Sequence, residues 1–139
     1  MINGRIEHTI LKADATKDDI VKFCNEAIQN NFRSVVVNQN YVRLAKSLLQ
    51  NTKVKVVSVV DFPIGAGSTL TRILQAKDAV NDGADEVDIP LNISALKSGD
   101  CDLVKKDLQD IILSVKRPVK VIIEVSLLSA NEIKSACDI

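Results

Sequence analysis

The sequence predicts an α/β fold of parallel strands joined by crossover helices. Two observations carry this: short β-branched runs alternate with stretches of helical periodicity along all 139 residues, and the runs succeed one another without hairpin signals. A third observation, length, bears on how the sheet ends. A closed (β/α)8 barrel typically takes about 250 residues, so 139 residues suit an open, doubly wound sheet. From pattern and length alone, the open sheet is the expectation.

The first apolar piece runs from Ile6 to Leu11. Thr16 can cap a helix that carries Ile20, Cys24, Ala27 and Ile28 on one face, and Asn30 and Asn31 end it. Phe32 to Asn38 is β-branched and unbroken, as in a strand covered on both faces, and Val42, Ala45, Leu48 and Leu49 then keep helical register. The next strand is Val54 to Val60. The loop DFPIGAGST leads to a helix over 70–80, which Asn81, Asp82 and Gly83 stop. Glu86 to Leu91 is the fourth strand, with a carboxylate, Asp88, inside it. A helix beginning near Asp100 buries Val104, Leu108, Ile111 and Ile112, and after Pro118 comes the strand Val119 to Val125. Ser129 and Glu132 form a capping box that opens a helix through Ile133 and Cys137.

Composition excludes several classes of function. Eighteen basic residues balance eighteen acidic ones, and no Lys/Arg cluster marks a nucleic-acid or anionic membrane surface. The N-terminal residues lack the apolar core of a signal peptide, and no run approaches a membrane span, so a cytoplasmic protein is expected. Cys24, Cys101 and Cys137 are odd in number and widely spaced, and the one histidine is His8, which argues against a disulfide framework or a zinc site. GAGST fits neither phosphate-loop pattern; its glycines suit a tight turn and Ser68 or Thr69 a helix cap.

An ionised carboxylate inside an apolar strand costs several kcal/mol unless it is paired or used. That makes Asp88 the first candidate for chemistry. Lys120 alternates with Val119 and Val121, so it shares a strand face with Ile122 and Glu124 and can point inward. It can be Asp88's structural partner or its neighbour in a site.

Several segments, in order, resemble the deoxyribose-phosphate aldolases, a family of class I aldolases on a (β/α)8 barrel: IEHTILKADAT, SVVVNQNYVRLAKSLL, VVDFPIGAGST, AKDAVNDGADEVDIPLNISALKSGD and VKVIIEVSLLSANEI. The resemblance implies a TIM-barrel type fold, incomplete, with residues 1–139 as a single truncated domain holding strands one to five. It implies reversible cleavage of 2-deoxy-D-ribose 5-phosphate to D-glyceraldehyde 3-phosphate and acetaldehyde through a lysine Schiff base, with no metal or organic cofactor. Asp88 is the implied proton relay at the barrel mouth, at the C-terminal end of its strand. Lys120 is implied as an electrostatic neighbour, Glu7 as a catalytic carboxylate, and Thr9 and Asn38 as substrate-binding residues.

The departures are as specific as the match. The family's Schiff-base lysine belongs to a strand-six segment that is not in this sequence, and its phosphate loops follow strands seven and eight. Glu7 stands where the family usually has aspartate, Val36 where many members carry cysteine, and Pro90 follows Asp88 in the same strand. The chain alone is therefore expected to be inactive, and to associate through the open edges of strands one and five, either with copies of itself or with a complementing fragment. The alternatives are a non-catalytic scaffold and a flavodoxin-like receiver domain built on Asp61 and Lys120.

Overall fold

A computed structural model describes residues 2–139. Its strands β1 (Glu7–Ile10), β2 (Ser34–Val37), β3 (Lys55–Val59), β4 (Glu86–Pro90) and β5 (Val119–Ile122) form one five-stranded sheet. Every neighbouring pair is parallel, and the strands lie in chain order. The helices are α1 (Lys17–Gln29), α2 (Val42–Leu49), α3 (Thr69–Asn81), the short α4 (Ile93–Lys97), α5 (Cys101–Ser114) and α6 (Ala130–Asp138).

Strand order overturns the open-sheet expectation. A doubly wound sheet of flavodoxin type has the order 2-1-3-4-5, whereas a barrel wall adds each strand beside the last. The sheet is an arc of an incomplete (β/α) barrel, and the receiver-domain alternative falls with the open sheet. Length misled because it says how many strands a chain holds, not in which order they pair.

The two sheet faces are built differently. Val35, Val37, Val56, Val87 and Ile89, all fully buried, join Ile20, Cys24, Ala27, Val42, Ala45, Ala76, Ala79 and Ile111 of the helices in one core. On the opposite face, Val36, Val57 and Val59 form a small separate cluster with Leu11 against them. The helices thus cover the convex side, and the concave side is lined by strand residues. β2, in the middle of the arc, is buried at every position, while β5 at the edge is only partly covered.

Local signals account for the element ends. Thr16 and Asp19 make a reciprocal capping box at α1, and Ser129 and Glu132 make another at α6. Asn31 takes the left-handed conformation (φ 52°) just past α1, and Gly83 (φ +110°) just past α3. Four expectations are corrected. The strands are shorter than the apolar runs; β5 in particular stops at Ile122, opposite the last residue of β4, and Glu124 then turns left-handed (φ 46°) into a 3-10 turn over Val125–Leu127. The residues after Leu91 form α4, which the sequence reading passed over. Ile28 and Ile112 are 37% and 46% exposed, because each lies about 100° around its helix from the buried residue before it, Ala27 and Ile111. Among the described residues no helix is long and apolar enough to cross a membrane.

Candidate active site

The concave face carries charge. Period-two alternation turns Glu7 of β1, Lys55 of β3, Glu86 and Asp88 of β4 and Lys120 of β5 away from the helix-covered core, and Arg33 stands just before β2. Parallel register sets Asp88 beside Lys120 on one side and Val59 on the other.

These side chains form a line of alternating sign. Lys120 Nζ lies 2.7 Å from Asp88 Oδ2 and also donates to Glu7 Oε2. Glu7 Oε1 accepts from Arg33 at 2.5 Å, the other Arg33 nitrogen donates to both Glu86 oxygens at 2.6 Å, and Lys55 Nζ donates to Glu86 Oε1 at 2.7 Å. Three carboxylates thus meet three cations, Asp88–Lys120–Glu7–Arg33–Glu86–Lys55, with no net charge. Such a closed set is how a face this polar survives beside a core.

Exposure along the line is uneven. Asp88 is 3% exposed, whereas the Lys120 side chain is 46% exposed. Burial pushes the Asp88 carboxyl above its ordinary value; the Lys120 hydrogen bond opposes this, and the negative charges of Glu7 and Glu86 add to it. For Lys120, burial works against the charged amine, but hydrogen bonds to Asp88 and Glu7 outweigh it and raise its pKa. Glu86 is pulled down: its desolvation is overcome by the hydrogen bonds from Arg33 and Lys55. Asp88 Oδ1 is buried and has no hydrogen-bond partner among the described residues.

This geometry has two chemical consequences. A carboxyl with a raised pKa keeps its proton to higher pH than an ordinary aspartate does. An amine held between two carboxylates keeps its proton more firmly than an ordinary lysine does.

Of the residues singled out from the sequence, Asp88, Lys120 and Glu7 meet. Asp88 is not at the strand's C-terminal end, however; it is the third of the five residues of β4, so the pair sits within the arc, below its rim. Thr9 and Asn38 stand outside the charged line. The exposed Thr9 hydroxyl donates to the Glu7 carbonyl at 3.0 Å, and Asn38 lines a hollow of about 330 Å³ with Gln39, Val59, Asp61, Phe62, Ile64 and Gln75. Pro90, the last residue of β4, turns its carbonyl to Arg72. Gly65 (φ +68°) needs to be glycine: a Cβ there would come within 2.7 Å of the Leu91 carbonyl oxygen. Ser68 caps α3, and Thr69 is its first residue.

The sequence reading missed Arg33, Lys55 and Glu86. Glu86 had a signal, since it lies two residues before Asp88 and therefore on the same strand face. Arg33 and Lys55 had none, because their role depends on which strands are neighbours.

Comparison with known proteins decides the family. The sequence profile of the DeoC/LacD family aldolase matches residues 4–133. The chain belongs to the DeoC/LacD aldolase family. A deoxyribose-phosphate aldolase from Finegoldia magna is 50% identical over 139 residues, which are 99% of this chain and 65% of that protein. The solved structure of an aldolase, QR15, superposes with a TM-score of 0.94 at 35% identity over 99% of this chain and 62% of its own. The deoxyribose phosphate aldolase of Aeropyrum pernix, described as having a unique tetrameric structure, gives 0.78 at 25% identity, covering 99% of this chain and 58% of that one. This aldolase-family chain spans somewhat under two thirds of the length of the Finegoldia relative and of both solved neighbours.

Proposed function

We propose that the protein to which these residues belong is a deoxyribose-phosphate aldolase, cleaving 2-deoxy-D-ribose 5-phosphate reversibly to D-glyceraldehyde 3-phosphate and acetaldehyde. The single observation that supports this most is the Lys120 amine clamped between Asp88 and Glu7 on the concave face of a chain-ordered parallel arc. In this reading Asp88 relays protons while the carbon–carbon bond breaks, and Lys120 holds positive charge beside it. Glu7 keeps Lys120 in place, and Thr9 and Asn38 meet the substrate nearer the rim. The Schiff-base lysine and the phosphate loops come from barrel strands that these residues do not include, with residues 1–139 forming one domain.

Two further parts belong to the same reading. β1 and β5 each pair on one side only, so we place association there, with a second copy or with the segment that completes the barrel. Three free thiols suit a reducing compartment, and we place the protein in the cytoplasm.

The test is turnover of deoxyribose 5-phosphate by the whole enzyme, with and without Asp88→Asn. Loss of general acid–base function predicts a fall in kcat of at least about 100-fold. An Asp88→Asn enzyme with undiminished kcat would defeat the proposed role.

A further inference from the structure

A second buried charge cluster lies outside the line of Asp88 and Lys120. Arg72, on α3, is fully buried, an unusual place for arginine. One guanidinium nitrogen donates to Asp107 of α5, itself 5% exposed, and another donates to the Pro90 carbonyl at the end of β4. The third, Nε, makes no hydrogen bond and stands 3.5 Å from Asp61 Oδ2.

Asp61 organises the loop between β3 and α3. Its carboxylate accepts from Gly67 N–H at 2.8 Å, its carbonyl accepts from Gly65 N–H at 2.9 Å, and its own N–H donates to Gln75. Gly65 in turn lies flat against Pro90 and Leu91, closer than any side chain would permit. The loop is thereby closed down on the end of β4, two residues beyond Asp88. Its tip, Pro63 and Ile64, walls a cleft of about 780 Å³ whose other sides are Asn92, Ile93 and Leu127. Ile64 and Asp61 also border the hollow that holds Asn38.

We propose that Arg72 is a positioning residue: it fixes the β3–α3 loop to the C-terminal end of β4 and so sets the wall of the strand-end face where substrate enters. The mention of substrate rests on the aldolase reading; the fixing of the loop does not. Arginine suits this task because its two terminal nitrogens donate in fixed, diverging directions to Asp107 and the Pro90 carbonyl while Nε sets its charge beside Asp61, a spread of directions that a compact ammonium does not hold.

The test compares Arg72→Lys with the parent chain by hydrogen exchange, using the Gly65 and Gly67 amides as reporters. Arg72→Lys keeps a cation for Asp107 but gives up the fork, and the two amides should exchange about tenfold faster while the amides of β2 and β3 keep their protection. Should Arg72→Lys not fold, the double variant Arg72→Met/Asp107→Leu replaces the buried pair by apolar side chains of similar size, a change that often leaves stability intact. It should show the same local loosening. In the whole enzyme, Arg72→Lys should raise KM for deoxyribose 5-phosphate severalfold with kcat within about twofold, since the loop carries no reacting group. A folded variant with Gly65 and Gly67 exchanging at the parent rate overturns the proposal, leaving Arg72 as a core ion pair alone. An enzyme that does not cleave the sugar phosphate sinks the aldolase reading and leaves the exchange result standing.

Discussion

The two faces of β4 show how one strand serves two ends. Val87 and Ile89 point to the helices and are fully buried in the main apolar core; Glu86 and Asp88, one residue out of phase, point into the arc and are almost as buried, at 4% and 3%, yet charged. The convex side is held by packing, where each lost methylene leaves a void. The concave side is held by an alternation of charges, where each lost partner leaves an uncompensated one. Equal burial therefore means opposite things on the two faces. Stability resides mainly on the first and the capacity for chemistry on the second.

The largest effect should come from breaking the packed face. Ile89→Ala removes a fully buried side chain and should cost about 3 kcal/mol in urea unfolding, with the Lys120–Asp88 pair unchanged. A cost under about 1 kcal/mol would show that the helices settle onto the sheet and that the two faces differ less than their packing suggests.

Breaking the charged face should cost less stability but change the chemistry more. Lys120→Met strands Asp88 without its cation. Because Lys120 is half-exposed, the loss is screened and should be about 1–2 kcal/mol at pH 7. The Asp88 carboxyl, already raised by burial, should rise further, as read by carboxyl carbon shifts in a pH titration. An Asp88 midpoint unmoved by the substitution would mean that the pair does not set its state.

The pH dependence separates the carboxylates along one line. Glu86 has a depressed folded pKa, so its contribution is present above its unfolded value of about 4.3 and is lost as pH falls through the lower folded one. Asp88 has a raised folded pKa, so the native state binds its proton more tightly than the unfolded chain does. Its contribution is favourable below the unfolded value of about 3.9 and is lost as pH rises through the folded one. In the parent chain Asp88 should therefore titrate above its unfolded value and Glu86 below its own. The reverse order would contradict the burial argument for Asp88.

The smallest effect belongs to neither face. Lys106 and Asp110 are an exposed i,i+4 pair on α5, and Lys106→Ala should cost about 0.3 kcal/mol, shrinking with added salt. That value gives the scale against which the inward ion pairs are measured.

Much of this was legible in the sequence because it is local. Thr16 and Ser129 announced their helices through cap chemistry, and the β-branched run around Val36 announced a strand buried on both faces. Asp88 stood out because an apolar strand has no cheap place for a charge. What stayed hidden depends on neighbours far apart in sequence. Chain-order pairing could not be read from periodicity, and length pointed to the wrong sheet; resemblance to the aldolases supplied the barrel. Without strand order, Arg33 and Lys55 look like ordinary strand-end cations, and Arg72 like an exposed helical residue. The run Glu86 to Leu91 already held Asp88 in its interior, as β4 does; its placement at the strand's C-terminal end came from the resemblance and not from the run itself.

The central claim is that Lys120 is a clamped, protonated neighbour of Asp88 and not a nucleophile. The most direct measurement is to incubate this chain with deoxyribose 5-phosphate and borohydride and to weigh it. An amine held between Asp88 and Glu7 should form no iminium, so the mass should stay unchanged across neutral pH. A stoichiometric adduct mapped to Lys120 and abolished by Lys120→Met would contradict the account and make the arc a Schiff-base site in its own right.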